Sequence, residues 1–277
     1  MEKILVTTDL SANSKAGIRF AAQLAHLRNA ELVVLHVHYV LRASLWTEQE
    51  YAGYIRHTRE NIMEELIPFV KKIYRYMKIP AGNYHLAVHH HMDTVAGIME
   101  YAAANGCAYI VTSTRGAGTF TKILGTHTSA LIEKSAIPVL CIPSSYRVKP
   151  ITHVLYASDI ADYENELKKV ISFARPMNTA VEMLHLNYTY ELLPDKELME
   201  QTLEKKLGYK VSVWYRKRAT ESTMEDDLEA AVAMFKPSLL ILFTQQGRSF
   251  FEKLFLPGNA RTYSFHAKVP LLTFKRK

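Results

Sequence analysis

The stretch Thr112-Ser113-Thr114-Arg115-Gly116-Ala117-Gly118-Thr119-Phe120-Thr121-Lys122-Ile123-Leu124-Gly125-Thr126-His127-Thr128 gathers residue types suited to holding an anion. Loop glycines let backbone N–H groups come close to a ligand, and the hydroxyls and Arg115 add donors. Gly125-Thr126 stands at the start of a helical pattern, where unpaired amides and the helix dipole favour phosphate. Two further stretches close short apolar runs with polar groups: Thr7-Thr8-Asp9-Leu10-Ser11 and Val37-His38. The chemistry offered is recognition of hydroxyls and anions. None of the three supplies a carboxylate–base pair or a lysine that the sequence can place on a reacting phosphate.

These stretches need strands to present them. Ile4 to Thr8 is a short apolar run; Ser11-Ala12-Asn13-Ser14 then offers N-cap hydroxyls before Ala16, Phe20, Ala21, Leu24 and Leu27 at helical spacing. Leu32 to Val37 reads as a buried strand, and Met63, Leu66, Val70, Ile73 and Met77 as the apolar stripe of a helix. Tyr84 to Val88 is a third strand, Val95 to Ala104 a helix, Ala108 to Thr112 a fourth strand, Thr126 to Lys134 a helix and Val139 to Ile142 a last strand. Strands of continuous apolar residues alternating with helices predict a parallel sheet covered on both faces, and right-handed crossovers make it doubly wound. In such a sheet ligands bind beyond the carboxyl ends of the strands, where the strand order reverses.

The pattern then repeats. Ile4-Leu5-Val6-Thr7-Thr8-Asp9 answers Val154-Leu155-Tyr156-Ala157-Ser158-Asp159, Leu35-His36-Val37 answers Leu184-His185-Leu186, and Ile137-Pro138-Val139-Leu140 answers Val269-Pro270-Leu271-Leu272. The second round runs through a strand at Val154 to Ala157, a helix around Glu166 to Ala174 and a strand at Val181 to Leu186. A helix from Leu192 to Leu207, a strand at Tyr209 to Tyr215, a helix from Met224 to Phe235 and strands at Leu239 to Phe243 and Leu271 to Phe274 follow. Repetition at this length predicts two tandem domains, 1–146 and 150–277, joined where Pro143, Ser144, Ser145 and Pro150 interrupt the pattern. The predicted fold class is α/β: two tandem doubly wound open parallel sheets, each with helices on both faces.

Composition narrows the function classes. A chain of 277 residues with 48% hydrophobic content holds two ordinary cores, and its net charge of +7 favours anionic small molecules without singling out nucleic acid. Cys107 and Cys141, each in apolar surroundings, read as core thiols of a cytoplasmic protein. Met1-Glu2-Lys3 runs straight into a strand, and no apolar stretch approaches the roughly 20 residues that a membrane helix needs, so neither signal peptide nor membrane is expected. No G-x-x-x-x-G-K-[S/T], H-E-x-x-H or G-x-S-x-G motif occurs, which counts against a dedicated kinase, hydrolase or zinc protease.

At Thr8-Asp9-Leu10-Ser11, Leu35-His36-Val37, the glycine loop and the closing Pro-Val-Leu strand, the chain resembles the universal stress protein family in its tandem two-domain form. The resemblance spans almost the whole length. It implies a Rossmann-like fold of the adenine nucleotide alpha hydrolase kind. It also implies an adenine nucleotide such as ATP, with Mg as counter-ion. Thr8, Asp9 and the backbone of Val37 would then meet adenine and ribose, and Thr112, Ser113, Arg115, Gly116, Gly125, Thr126, His127 and Thr128 would surround the phosphates. Family loops read G-x2-G-x9-G-[S/T]; here Ser113 stands at the first glycine, and eight residues separate Gly116 from Gly125. The second loop keeps less: Gly247 is followed by ten residues before Gly258, Asn259 replaces the hydroxyl, and Phe250, Phe251 and Phe255 fill the interval. The second domain is thus expected to be mainly a structural partner.

Other clusters have plainer readings. His85, His89, His90 and His91 invite a metal, yet adjacent residues seldom converge on one ion, and a solvated strand-to-helix loop is expected instead. His36 and His185 sit mid-strand at matching positions and are expected to be hydrogen-bonded. Lys71, Lys72, Arg75 and Lys78 with Tyr74 and Tyr76 read as the polar face of a helix. Three functional readings stay open: a regulatory, non-catalytic nucleotide binder, a nucleotide-free association scaffold, and a weak ATP hydrolase. No catalytic or metal residue is assigned. Pairing through the closing strands is expected within the chain, and the same strands could pair two chains as a homodimer.

Overall fold

A computed structural model describes residues 1–77, 82–114, 126–187, 191–218, 221–244 and 269–276. The chain divides into two compact units, with Val148 closing the first and Lys149 opening the second.

The first unit runs β1 (Lys3–Thr7), α1 (Ser14–Arg28), β2 (Glu31–His38), α2 (Glu48–Met77), β3 (Tyr84–His90), α3 (Thr94–Ala104), β4 (Tyr109–Ser113), α4 (Thr126–Lys134) and β5 (Val139–Ile142). Its strands lie in the order β3-β2-β1-β4-β5, and every pair is parallel. Ile4, Leu5 and Val6 are all fully buried although successive side chains point to opposite faces, so both faces of the sheet are covered. The chain steps outward from β1 through β2 to β3 and then returns to β4. The order therefore reverses between β1 and β4, whose strand ends lead into Thr8 and Thr114, and in sheets of this kind such a reversal is where ligands bind.

The second unit repeats the plan with β6 (His153–Ser158), α5 (Tyr163–Ala174) and its 3-10 extension (Arg175–Met177), β7 (Ala180–Asn187) and α6 (Lys196–Leu207). β8 (Val211–Lys217), α7 (Met224–Phe235), β9 (Leu239–Thr244) and β10 (Leu271–Lys275) complete it. Its parallel strands lie in the order β8-β7-β6-β9-β10, reversing between β6 and β9. The tandem doubly wound α/β class expected from the repeat is the fold observed. Equivalent helix ends reuse one device: Asn29 and Asn178, at φ 51° and 50°, both turn left-handed, a conformation that asparagine tolerates better than most residues.

Three elements differ from the sequence reading. Helix α2 carries the Met63 to Met77 stripe but extends well ahead of it to Glu48, held by a reciprocal cap in which Thr47 N donates to Glu50 Oε2 at 2.8 Å and Glu50 N to Thr47 Oγ1 at 3.3 Å. Only Leu66, Val70 and Ile73 of this helix are buried, so its first half carries a weak apolar stripe. Helix α6 starts at Lys196, capped by Asp195 Oδ1 accepting from Leu198 N at 2.8 Å, while Leu192 is 99% exposed. Strand β3 runs on to His90, because β2 continues alongside it and pairs His38 with His90. His85 lies in this strand as expected, and His89 and His90 are strand residues too, not members of a solvated loop.

Candidate functional site

The crevice end of the first unit is built on the turn after β1. Leu10 adopts φ 62°, which swings the chain back so that Asp9 Oδ1 accepts the Ser11 amide at 3.0 Å. Ser14 Oγ donates to Ser11 O at 2.9 Å, leaving Thr8 Oγ1 to donate to Ser14 Oγ at 2.8 Å while accepting from Leu10 N at 3.0 Å. The Thr8 hydroxyl, 7% exposed with its residue, is thus occupied in shaping the turn. What the turn presents is the Asp9 carboxylate, which is exposed. Burial alone would raise its pKa, but hydrogen bonding from Ser11, whose amide the carboxylate accepts, outweighs that and lowers it, so the group stays ionised.

Strand β2 supplies the neighbouring wall. Leu35 O accepts the Thr8 amide at 2.9 Å, and His38 O accepts the His91 amide at 2.9 Å. Peptide groups alternate sides along a parallel strand. Val37 therefore turns its N–H and C=O toward the β1 side, beyond the point where β1 has ended. His36 Nδ1 lies 3.0 Å from Thr8 O; a carbonyl only accepts, so Nδ1 carries the proton. Burial lowers the His36 pKa against the pull of Thr8, Asp9 and Glu65, which favours the neutral ring. His36 buttresses the turn rather than facing a ligand.

Strand β4 and helix α4 hold the remaining expected residues. Ser113 Oγ accepts the Gly17 amide of α1 at 2.8 Å and lies 3.4 Å from Ser14 O, so its hydroxyl ties β4 to α1. Thr112 and Thr128 are buried, at 7% and 3% exposure, whereas Thr126 and His127 are exposed in the first turn of α4. Arg115, Gly116 and Gly125 lie outside the described residues, as do Gly247, Phe250, Phe251, Phe255, Gly258 and Asn259 of the second loop. Among the described residues, then, Asp9 and the start of α4 are exposed polar features at the strand ends, and Val37 beside them is half-buried. Thr8 and Ser113 support them from behind.

A pair of histidines, His38 and His90, sits beside this wall. The His38 and His90 rings meet edge to face at 5.3 Å, and His90 stacks on Tyr39 at 5.6 Å and touches Tyr51 at 6.1 Å. His90 Nε2 accepts the Val40 amide at 3.2 Å. Among the described residues no group of three or more His, Cys, Asp or Glu is placed to hold a metal.

The second unit rebuilds the same turn around different partners. Ile160 at φ 65° lets Asp159 Oδ1 accept the Ala161 amide at 3.0 Å, and His185 Nδ1 lies 2.9 Å from Ser158 O, as His36 does from Thr8 O. Here, however, Arg276 lies across Asp159, with Nη1 2.7 Å from Oδ2 and Nη2 2.5 Å from Oδ1. Its Nε donates to Glu166 Oε1 at 2.5 Å, and the Tyr156 hydroxyl donates to Glu166 Oε2. The repeat aligns Asp159 with Asp9, but Arg276 lies 117 residues away in the chain, so no local pattern reports this clamp.

The universal stress protein family model matches residues 1–143, slightly more than half of the chain. The chain belongs to the universal stress protein family. Among solved structures, a universal stress protein from Archaeoglobus fulgidus DSM 4304 is similar at a TM-score of 0.71 and 18% identity, covering 99% of this chain and 98% of its own. A universal stress protein from Pseudomonas aeruginosa UCBPP-PA14 follows at 0.58 and 14%, covering 99% and 93%. A shorter one from Archaeoglobus fulgidus, solved in complex with dAMP, covers 51% of this chain and 98% of its own at 0.36 and 20%. No curated protein sequence matches this chain. At these identities the full-length likenesses establish the fold. No helix among the described residues is long and apolar enough to cross a membrane.

Proposed function

We propose that this universal stress protein binds one adenine nucleotide at the strand ends of its first unit and acts as a regulatory, non-catalytic stress-response protein of the cytoplasm. The carrying observation is Asp9: an exposed, ionised carboxylate at the point where strand order reverses, held by the Ser11 amide and met by no described cation. A carboxylate there accepts the paired hydroxyls of a ribose, as acidic residues do in other dinucleotide-binding crevices. Val37 offers its N–H and C=O to the edge of a base. Thr126 and His127 in the first turn of α4 lie where phosphate is favoured, and Arg115, Gly116 and Gly125 complete the proposed phosphate loop. Mg would accompany ATP as counter-ion to the phosphates.

Occupancy would act by linkage, since a nucleotide alters function only as far as it prefers one conformation or assembly. Association through the closing strands β5 and β10, within one chain or between two, belongs to the same proposal and is read by sedimentation equilibrium. Isothermal titration with ATP, AMP and cAMP tests the site. Heat at one nucleotide per chain that Asp9→Ala weakens at least tenfold supports it; no heat for any of the three refutes it. Phosphate release that survives repurification and vanishes in Thr126→Val would favour the weak hydrolase instead.

A further inference from the structure

The crevice end of the second unit already has an occupant. All three guanidinium nitrogens of Arg276 face carboxylate oxygens: both terminal nitrogens take Asp159 as a fork, and Nε takes Glu166. The Arg276 amide donates to Thr244 O at 2.8 Å, which fixes the residue directly after β10 beside the end of β9. The Arg276 and Glu166 side chains are 12% and 3% exposed, and Asp159 is 53% exposed. Glu166 stands where the first unit has Gly17, when α1 and α5 are aligned on their left-handed caps Asn29 and Asn178. Tyr156 stands where β1 has Val6. The pocket thus combines two carboxylates and a phenol around a planar cation, at the place where the first unit presents a bare aspartate.

We propose that the strand-end crevice of the second unit is a guanidinium-binding pocket, that Arg276 is its resident ligand, and that this closes Asp159 to any hydroxyl-bearing ligand. The guanidinium fork takes both Asp159 oxygens and Oδ1 also holds the Ala161 amide, so a ribose that needs both oxygens would have to displace a cation held by two acids. The resulting asymmetry rests on the nucleotide reading of the first unit, but the pocket itself does not.

The test is chemical rescue with methylguanidinium. In Arg276→Ala the pocket is emptied, the melting temperature falls, and millimolar methylguanidinium restores part of it while leaving the wild type unmoved. Methylammonium at equal concentration, which lacks the planar fork, restores less. Should the lone buried Glu166 prevent that variant from folding, E166Q/R276A keeps the test: methylguanidinium raises its melting temperature, and adding D159N removes the gain. Equal shifts in wild type and variant, or none in either variant, overturn the proposal. So would two nucleotides per wild-type chain. A chain that binds no nucleotide counts against the first-unit reading alone, since the guanidinium result is independent of it.

Discussion

The same turn closes β1 and β6, yet it faces different surroundings. After β1, Asp9 is exposed and accepts the Ser11 amide; after β6, Asp159 is the outer member of a chain running through Arg276 and Glu166 to Tyr156. Behind the turns, the first unit uses small groups in close approach, with Ser113 Oγ on the Gly17 amide, and the second uses large ones. Tyr156 meets the Phe243 ring edge to face at 5.6 Å, and Phe243 stacks on Phe274 at 5.0 Å. The difference teaches that a duplicated backbone can keep its turn geometry while its carboxylate is left exposed in one unit and paired internally in the other. The turn alone does not identify a site; what lies across the carboxylate does.

The sharpest way to break this comparison is to remove the cation. Arg276→Ala leaves Glu166 a buried carboxylate with the Tyr156 hydroxyl but no counter-charge, which costs about 3–5 kcal/mol. Asp9→Ala in the first unit removes one amide contact at an exposed position and costs about 1 kcal/mol. Urea unfolding with hydrogen exchange assigns each loss to its unit. Similar losses for both variants would mean that the two aspartates have the same role after all.

The pH limb follows from Asp159. Its folded pKa is lowered: burial opposes this, but the Arg276 hydrogen bonds and charge and the Ala161 amide prevail. A lowered carboxylate stabilises the fold above its unfolded value and loses that contribution as pH falls through its folded value. Asp159→Asn should therefore flatten the acid limb below about pH 4.

A second break targets the packing behind the turn. A Cβ added at Gly17 would lie 2.6 Å from Ser113 Oγ and 3.4 Å from the Ser113 amide, so Gly17→Ala pushes α1 from β4 at about 1–3 kcal/mol. Ser113→Gly removes the obstructing hydroxyl, and G17A/S113G should recover most of the loss in a double-mutant cycle. If Ser113 instead served a phosphate, Ser113→Gly alone would weaken nucleotide binding with stability unchanged.

Much of this was legible in the sequence because it is local. Ile4-Leu5-Val6 and Leu239-Leu240-Ile241 announce buried parallel strands by continuous apolarity, and the Pro-Val-Leu and Pro-Leu-Leu phrases mark the closing strands. The first half of α2 was not, since Tyr51, Ile55 and Ile62 are only half buried and dilute the helical stripe. Its one local signal was Thr47-Glu48-Gln49-Glu50, the spacing of a reciprocal cap. The partners of Ser113 and Asp159 were illegible for a different reason. They lie 96 and 117 residues away, and no periodicity reports which hydroxyl or cation folding will bring across a sheet.

The histidine wall offers a smaller test. His38, whose amide register matches Asn187 of β7, has both ring nitrogens buried without a hydrogen-bond partner, and burial brings its pKa from 6.5 to about 4. His90, His36, His89 and Arg59 push the same way. Between those values the unfolded chain binds more protons than the folded one, so stability rises with pH from about 4 to 6.5 and is complete above. His38→Asn, which installs the residue of the second unit, should flatten the melting-temperature profile of the first unit across that window. A profile unchanged in slope would show that His38 does not carry it.

The smallest effect lies in the turns themselves. Leu10 and Ile160 both hold positive φ, at 62° and 65°, where side chains crowd the backbone, and a β-branched residue is crowded most. Glycine relieves that strain but loosens the unfolded chain, by about 0.5–1 kcal/mol in the opposite sense. Ile160→Gly should therefore come out near neutral or stabilising by up to about 1 kcal/mol, and Leu10→Gly should gain less, since leucine branches one carbon further out. The two turns make the same amide contact to aspartate, so their difference in gain isolates the branching at Cβ. A larger gain at Leu10 would mean that the first turn carries strain beyond its own φ, stored where its aspartate faces outward.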